Sequence, residues 1–329
     1  MSPHIPVMLP EVLEALAPKP GEVIVDGTFG AGGYTAGILE RGAKVVAFDR
    51  DPNAIAAGRT RFEGQDRLTL VEAPFDRIVE HTPTEGIDGA VFDLGVSSIQ
   101  LDQSERGFSF MRDGPLDMRM GEGASAADFV NAADQADIKT LLWQYGEERR
   151  SGALAAAIVR ARSEAPLTTT GALAALAGAP RAKDKIHPAT RMFQAIRILV
   201  NDELGQLVRA LIAAEALLKP GGRLVAVTFH SLEDRIVKRF MATASGADGG
   251  GSRHRPETDR PDPSLTLTRR KAVGATPEEA ERNPRARSAK LRAAIRTEAP
   301  PMSWTRERLE ALGAPSLVFS DLQAQWSSP

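Results

Sequence analysis

The sequence predicts an α/β fold: a largely parallel sheet covered by helices and interrupted by a helical insertion between its fourth and fifth strands. Two observations predict it. Short apolar runs bounded by Gly, Pro and Asp alternate with helical stretches over the first hundred residues. The alternation then stops, residues 124–180 are alanine-rich with few strand signals, and a Pro-Gly-Gly turn near residue 220 restores the pattern.

The predicted elements follow one another regularly. Continuous Val, Leu, Ala and Phe runs are typical of strands covered on both faces. The predicted strands are 22–27, 44–49, 67–75, 87–95 and 223–229, followed by late edge strands at 264–273 and 286–297. Predicted helices include 34–42, 51–62 with Asp51 as N-cap, and one that begins at Ser231 with Asp234 three residues later.

Composition narrows the functional classes. The chain has 329 residues, of which 42% are hydrophobic, and this permits a sizeable core. It has no cysteine, which excludes disulfides, thiolate zinc sites and cysteine nucleophiles, and we predict no metal site. It has no apolar run of membrane-spanning length and no signal-peptide pattern, so we expect a cytoplasmic protein without membrane association.

Charge is distributed unevenly along the chain. Residues 219–297 hold 17 Lys and Arg against 9 Asp and Glu, although the whole chain has a net charge of −2. A basic C-terminal third indicates a polyanionic partner such as nucleic acid, or a solvated arginine-rich face.

A glycine-rich turn follows the first strand, in the stretch DGTFGAGGYT (residues 26–35). A dinucleotide-binding loop needs a third glycine, where this chain has Thr35. Asp26 at the strand end would also repel a pyrophosphate. S-adenosylmethionine carries a sulfonium and an ammonium and no phosphate, so the loop fits this methyl donor better than NAD.

Three acids end the first, second and fourth predicted strands: Asp26, Asp49 and Asp93. Ligands of open α/β sheets bind at the carboxyl edge of the strands. Asp49 lies nineteen residues after Gly30, where a carboxylate can accept hydrogen bonds from a ribose diol. Phe75 follows the third strand, where it could flank an adenine or pack in the core.

Longer sequence blocks carry a family resemblance. In order along the chain they are HIPVMLPEV, DGTFGAGGYT, FDRDPNAI, DLGVSSIQLDQSERGFSFMRDGPLDMRM, YGEERR, HPATRMFQAIRILVNDEL, FHSLEDRIVKRFM and NPRARSAKLR. They run from His4 to Arg296, and together they resemble the bacterial 16S ribosomal RNA cytosine-N4 methyltransferase family.

The resemblance implies a Rossmann-like methyltransferase domain, S-adenosylmethionine as co-substrate, and 16S rRNA or the 30S subunit as partner. It implies methyltransferase segments at 1–103 and 191–297, a helical insertion at 104–190, and a tail at 298–329 of unknown role. The family's donor-site positions fall on Gly32, Gly33, Tyr34, Asp49, Phe75, Asp93 and Gln100. Tyr34 stands where the family usually has histidine, and Ile99 where it usually has proline. No catalytic residue is assigned.

The residue composition also limits which kind of atom can accept the methyl group. Methylation of cytosine at C5 normally needs a covalent cysteine, which this chain lacks, so a nitrogen or oxygen acceptor remains. We expect methyl transfer to the N4 amine, with Asp93 or backbone carbonyls as proton acceptors. The alternatives are a dinucleotide-dependent oxidoreductase, a non-catalytic RNA-binding protein, and a methyltransferase acting on another RNA, a protein or a small molecule. The sequence leaves the oligomeric state open, with a homodimer among the alternatives.

Overall fold

The computed structural model describes residues 6–95, 103–180, 186–247 and 262–313. The chain forms two compact units. The first comprises residues 1–95 and 206–314, and the second comprises 96–205 and 315–329. In the described part of the chain no helix combines the length and the apolarity that a membrane span requires.

The first unit is built on a mixed sheet with strand order β3-β2-β1-β4-β5-β8-β6, and β7 also pairs with β8. The first five strands run parallel, and β8 runs antiparallel to β5, β6 and β7. The strands are β1 (Val23–Asp26), β2 (Lys44–Asp49), β3 (Leu68–Glu72), β4 (Ile87–Asp93), β5 (Leu218–Thr228), β6 (Leu265–Leu267), β7 (Val273–Gly274) and β8 (Lys290–Arg296). This order confirms the predicted Rossmann-like α/β fold.

Helices flank this sheet because its central strands are apolar on both faces. The helices of the first unit are α1 (Leu9–Leu16), α2 (Gly33–Glu40), α3 (Pro52–Arg61), α4 (Ile78–His81), α10 (Glu203–Leu217, from Gln206 on), α11 (Ser231–Ala244), α12 (Pro277–Arg282) and α13 (Arg306–Leu312). Asp51 caps α3 as predicted, its carboxylate accepting from the Asn53 N–H. Helix α11 begins at Ser231 as predicted, with His230 as its N-cap and Glu233 as its third residue.

The second unit is helical, and the predicted insertion between the fourth and fifth strands falls within it. Its helices are α5 (Ala126–Ala132), α6 (Gln135–Gln144), α7 (Ser151–Glu164), α8 (Thr170–Ala175) and α9 (Thr190–Val200). Asn201, after α9, accepts from the Met120 N–H and donates to the Met118 carbonyl. These buried bonds tie α9 to the loop that precedes α5.

The boundaries between the units differ from the predicted ones. The first unit ends at residue 95 and resumes at 206, whereas the sequence suggested 103 and 191. The reason is α9, which packs on α5 and α6 of the second unit. Part of the predicted tail belongs to the first unit, since the Trp304 ring stacks on Phe240 at 4.5 Å and its indole N–H donates to buried Glu215 at 2.7 Å.

Candidate functional site

The carboxyl edge of the parallel strands collects the predicted acids of the first unit. Asp26 ends β1, Asp49 ends β2 and Asp93 ends β4. Asp26 pairs in register with Ala47 of β2 and Val91 of β4. Each of these residues lies two positions before the acid that ends its strand. The parallel pairing therefore gives all three carboxylates one edge of the sheet.

Asp26 is fully buried below that edge. Its carboxylate accepts from the Thr35 hydroxyl at 2.7 Å and from the Thr28 N–H at 3.2 Å. Burial raises its pKa to about 6, and the charge of Asp49 adds to the shift. Thr35, which replaces the third glycine of a dinucleotide loop, thus holds this buried acid.

The glycine-rich loop is fixed by the second acid. Asp49 accepts from the Gly30 N–H at 2.8 Å through Oδ2 and from the Asp51 N–H at 2.9 Å through Oδ1. Gly30 and Gly32 have φ of 53° and 75°, a region that favours glycine. Asp49 therefore shapes the loop, and each of its oxygens keeps a lone pair for a further donor.

Helix α2 begins at Gly33, directly after the loop. The proline ring of Pro6 covers this residue so closely that a methyl group at Gly33 would lie 2.2 Å from its Cγ. The next side chain, Tyr34, is buried, and its hydroxyl donates to the Val7 carbonyl at 2.5 Å. Burial, followed by the charge of Asp93, raises the pKa of Tyr34. Tyr34 thus joins the N-terminal segment to the loop through its side chain.

One oxygen of the Asp93 carboxylate is buried without a hydrogen-bond partner among the described residues. That oxygen is Oδ1, whereas the backbone N–H of Asp93 donates to Thr28 Oγ1 at 2.6 Å. Burial first, and then the charges of Asp26 and Glu233, raise the pKa of Asp93 to about 8, while the interaction with the Tyr34 hydroxyl opposes the shift. An orphaned buried acceptor beside two other acids demands a cationic or hydrogen-bond-donating ligand.

Two further predicted residues complete the list. Phe75, half-buried in a short turn after β3, has its ring 5.7 Å from the ring of Phe92. It therefore lies at the same edge as the acids. Gln100 lies outside the described residues.

Sequence reasoning left out one pair at this edge. Glu233 is buried, and its Oε2 accepts from the Phe229 N–H at 2.8 Å. Its Oε1 lies 2.9 Å from His230 Nε2, although neither ring nitrogen makes an aligned hydrogen bond among the described residues. The spacing of the pair, at the start of a helix, was visible in the sequence, but its burial was not.

Comparison with known proteins then decides the family. The model of the MraW methylase family matches residues 1–297. The chain belongs to the MraW methylase family. It is 58% identical over 301 residues to a protein of Sinorhizobium fredii, covering 90% of this chain and 88% of that protein. It is 56% identical over 325 residues to one of Brucella suis, covering 95% and 92%. Both relatives are named "Ribosomal RNA small subunit methyltransferase H".

Among solved structures, an rRNA methylase from Streptococcus thermophilus is similar with a TM-score of 0.40 at 13% identity, over 88% of this chain and 94% of that one. That likeness carries no argument about function.

Membership of the MraW methylase family makes the chain an S-adenosylmethionine-dependent methyltransferase. The residues of the edge fit such a ligand. Asp93 presents a buried oxygen that no described residue binds, and Asp26 and Asp93 both have pKa values that neighbouring acids raise. A bound cation would relieve this repulsion, whereas an anion would increase it.

The ligand-free protein should lose stability as pH rises. Asp26 and Asp93 have folded-state pKa values of about 6 and about 8, above the ordinary value of 3.8, so the folded state holds protons that the unfolded chain has released. Their contribution to stability is therefore fully present below pH 3.8 and is lost as pH rises through 6 and 8. We expect the Tm of the wild type to fall progressively relative to that of Asp93→Asn as the pH rises from 5 to 8. The difference should level off above pH 8.5. Thermal scans at matched ionic strength measure it, and a pH-independent difference would contradict the assigned pKa of Asp93.

Proposed function

We propose that the protein transfers a methyl group from S-adenosylmethionine to the exocyclic N4 amine of a cytosine in 16S rRNA of the small ribosomal subunit, in the cytoplasm. The names of the relatives support a ribosomal RNA substrate. The resemblance of the long sequence blocks supports the cytosine amine. A methyltransferase that acts on another RNA or on a small molecule is the alternative.

The observation that carries the proposal is Asp93 Oδ1, which lies in an acidic, buried edge of the sheet and has no hydrogen-bond partner in the part of the chain that the structure describes. We propose that ionised Asp93 balances the cationic part of the methyl donor. The donor would also contact the loop at Gly32, Gly33 and Tyr34, the carboxylate of Asp49 through its ribose, and the ring of Phe75 through its adenine. Gln100 completes the proposed donor site.

For Asp49 the proposal has a physical basis in its two backbone bonds, to Gly30 and Asp51. These bonds hold the carboxylate in one orientation before a ligand arrives, so ribose hydroxyls could bind it without a further ordering cost. For Tyr34 the proposal is limited to the backbone, because the side-chain hydroxyl is already bound to Val7.

The chemistry needs no covalent enzyme intermediate. S-adenosylmethionine supplies an electrophilic methyl group on a positively charged sulfur. As the N4–carbon bond forms, the carbon–sulfur bond breaks and its electron pair passes to sulfur; the methylated N4 then loses a proton. The cytosine amine is a weak nucleophile because its lone pair is delocalised, so rate acceleration comes mainly from alignment of the reacting atoms.

A proton acceptor is required once the N4 cation forms. His230 ends the turn after β5, next to β4 in the sheet, and its ring nitrogens have no aligned hydrogen bond among the described residues. We propose His230 as the acceptor, with buried Glu233 stabilising the imidazolium at 2.9 Å. Asp93, which the sequence suggested as a proton acceptor, is then not needed in that role, because its carboxylate is proposed to bind the methyl donor.

The direct test uses labelled S-adenosylmethionine with 16S rRNA and 30S subunits from a strain that lacks the enzyme, followed by digestion and identification of the nucleoside. We expect N4-methylcytidine. If neither substrate form yields it, while another nucleoside or a small molecule is labelled, the alternative function replaces the proposed one.

Asp49→Asn should weaken donor binding. The amide cannot accept through both side-chain positions, so it loses one of the two backbone bonds that fix the loop and one acceptor for the ribose. We expect Kd for S-adenosylmethionine to rise about 10- to 100-fold, equivalent to about 1.4 to 2.7 kcal/mol. Isothermal titration calorimetry measures the change.

The matched control is Glu72→Gln. Glu72 is exposed at the end of β3, pairs in register with Asp49, and undergoes the same change of charge. We expect its donor affinity to stay within twofold of the wild type. Equal losses in the two variants would reveal a general electrostatic effect and refute the ribose contact.

A further inference from the structure

The basic residues of the C-terminal third fall into two classes in the structure. Several are bound internally: Lys290 and Arg292 both contact Asp234, at 2.9 and 2.8 Å, and the Arg239 guanidinium donates to the Ala311 carbonyl at 3.2 Å. These contacts already engage the three side chains within the fold, so they are less suited to bind RNA phosphates than cations without such contacts.

The second class consists of exposed residues whose side chains have no polar partner within the described ranges. Arg269, Arg270 and Lys271 form a loop between β6 and β7, and all three side chains are exposed. Arg287 is also exposed, in the short turn before β8. Within the described ranges none of the four side chains makes a hydrogen bond or an ion pair. We call Arg269, Arg270, Lys271 and Arg287 the edge cluster.

Sheet register connects the edge cluster to the donor edge. Asp93 of β4 pairs with Val227 of β5, Val227 with Leu291 of β8, and Leu291 with Val273 of β7. These four residues form one row across neighbouring strands. Three strand spacings of about 4.8 Å place Val273 about 14 Å from Asp93. Lys271 is two residues before Val273, and Arg287 is three residues before β8, at the end of that strand next to the carboxyl edge.

We propose that the edge cluster binds the sugar–phosphate backbone of the substrate RNA, a few nucleotides from the target cytosine. This inference rests on the proposed function. Three consecutive cations followed by an exposed arginine match the charge of successive phosphates, and arginine is suited to phosphate through bidentate hydrogen bonds. The separation of about 14 Å lets the backbone reach the cluster while the base reaches the donor edge.

A simpler role competes with this one. Positive charges on an edge strand prevent pairing with another sheet, and Arg269 to Lys271 interrupt such a strand. The two roles differ in their readout. Loss of edge protection would produce self-association without a change in RNA affinity, whereas loss of phosphate contacts weakens RNA binding and its salt dependence.

The test compares Arg269→Glu/Arg270→Glu with the wild type, using a 16S rRNA transcript as the probe. We expect the RNA Kd to rise at least about tenfold at low salt, and the slope of log K against log salt to fall by about 1.5. KM for RNA should rise while kcat at saturating RNA stays within twofold, since the donor edge is unchanged. S-adenosylmethionine affinity should equal that of the wild type.

The matched control is Lys44→Glu/Arg59→Glu, which makes the same charge change at two exposed sites. Lys44 begins β2, in the opposite half of the sheet. This control variant should leave the slope of log K against log salt unchanged. An unaltered RNA Kd and slope in the edge-cluster variant, with or without self-association by light scattering, would overturn the inference while leaving the methyltransferase proposal intact. Failure of the wild type to bind or methylate the transcript and 30S subunits would overturn both.

Discussion

Asp93→Asn should abolish high-affinity binding of S-adenosylmethionine and, at the same time, stabilise the ligand-free protein. Asparagine keeps the shape of the side chain but removes the charge that burial and two neighbouring acids oppose. The unfolding free energy of the variant should therefore exceed that of the wild type at neutral pH, because the unfolded wild-type chain has released a proton that its folded state still binds. The opposite signs of the two effects distinguish a binding residue from a structural one.

The size of the effect on binding follows from the loss of a buried counter-charge. Removing one partner of a desolvated charge pair typically costs about 3 to 5 kcal/mol, so we expect donor Kd to rise at least about 100-fold. The wild type must also release a proton from Asp93 on binding a cation below pH 8. Its affinity should then increase by up to about tenfold per pH unit between pH 6 and 8 and reach a plateau above, whereas the variant should show no such dependence.

Calorimetry across that pH range, in two buffers of different ionisation enthalpy, measures both affinity and proton release. Asp88→Asn is the control on the same strand. Asp88 lies at the amino end of β4, where it accepts from the Val23 N–H and contacts Lys219. The Asp88→Asn variant should be less stable than the wild type and should bind S-adenosylmethionine with the same affinity. If the wild type binds the donor without pH dependence and without proton release, Asp93 is not protonated in the ligand-free protein.

The sequence predicted the parallel core because its signals are local. The apolar run of β2 was predicted at 44–49 and forms a strand from Lys44 to Asp49. Asp51 caps α3 for reasons confined to three residues. Such features depend on strand propensity, caps and turns, and they need no knowledge of distant partners.

Long-range partners account for what the sequence could not predict. Helix α9 has an apolar stripe that suits either unit, and only contacts such as Asn201 with Met118 assign it to the second. Lys290 and Arg292 meet Asp234 across more than fifty residues, so their charges could not be recognised as internal.

In the candidate site, the strand-end positions of the acids could be predicted, whereas their protonation could not. The pKa of an acid depends on burial and on other acids, which the sequence does not place. Asp26 was expected to face a ligand and is instead held by Thr35 below the edge. Asp93 becomes distinctive only once its Oδ1 is found buried without a partner within the described ranges.

Gly27→Ala should combine a loss of stability with a loss of donor binding. Gly27 follows β1, and its N–H donates to the Val91 carbonyl at 2.9 Å. A methyl group at this position would lie 2.4 Å from a ring carbon of fully buried Phe92 and 3.3 Å from Cβ of Phe75. The Phe92 ring cannot retreat into a packed core without moving its neighbours. We expect unfolding to become easier by about 1 to 3 kcal/mol, the usual cost of inserting a methyl group into a packed site.

The donor effect follows from the same displacement. Because the Phe75 ring packs on the Phe92 ring, a shift of Phe92 also moves the side chain proposed to flank the adenine. S-adenosylmethionine affinity should fall about tenfold, an effect that small rearrangements of a binding site commonly produce. Gly274→Ala is the matched control, since a methyl group there meets no atom within 4 Å and the backbone is not left-handed. Chemical denaturation and calorimetry on both variants separate the outcomes: destabilisation without a change in donor affinity would show that Phe75 supports the core and does not contact the donor.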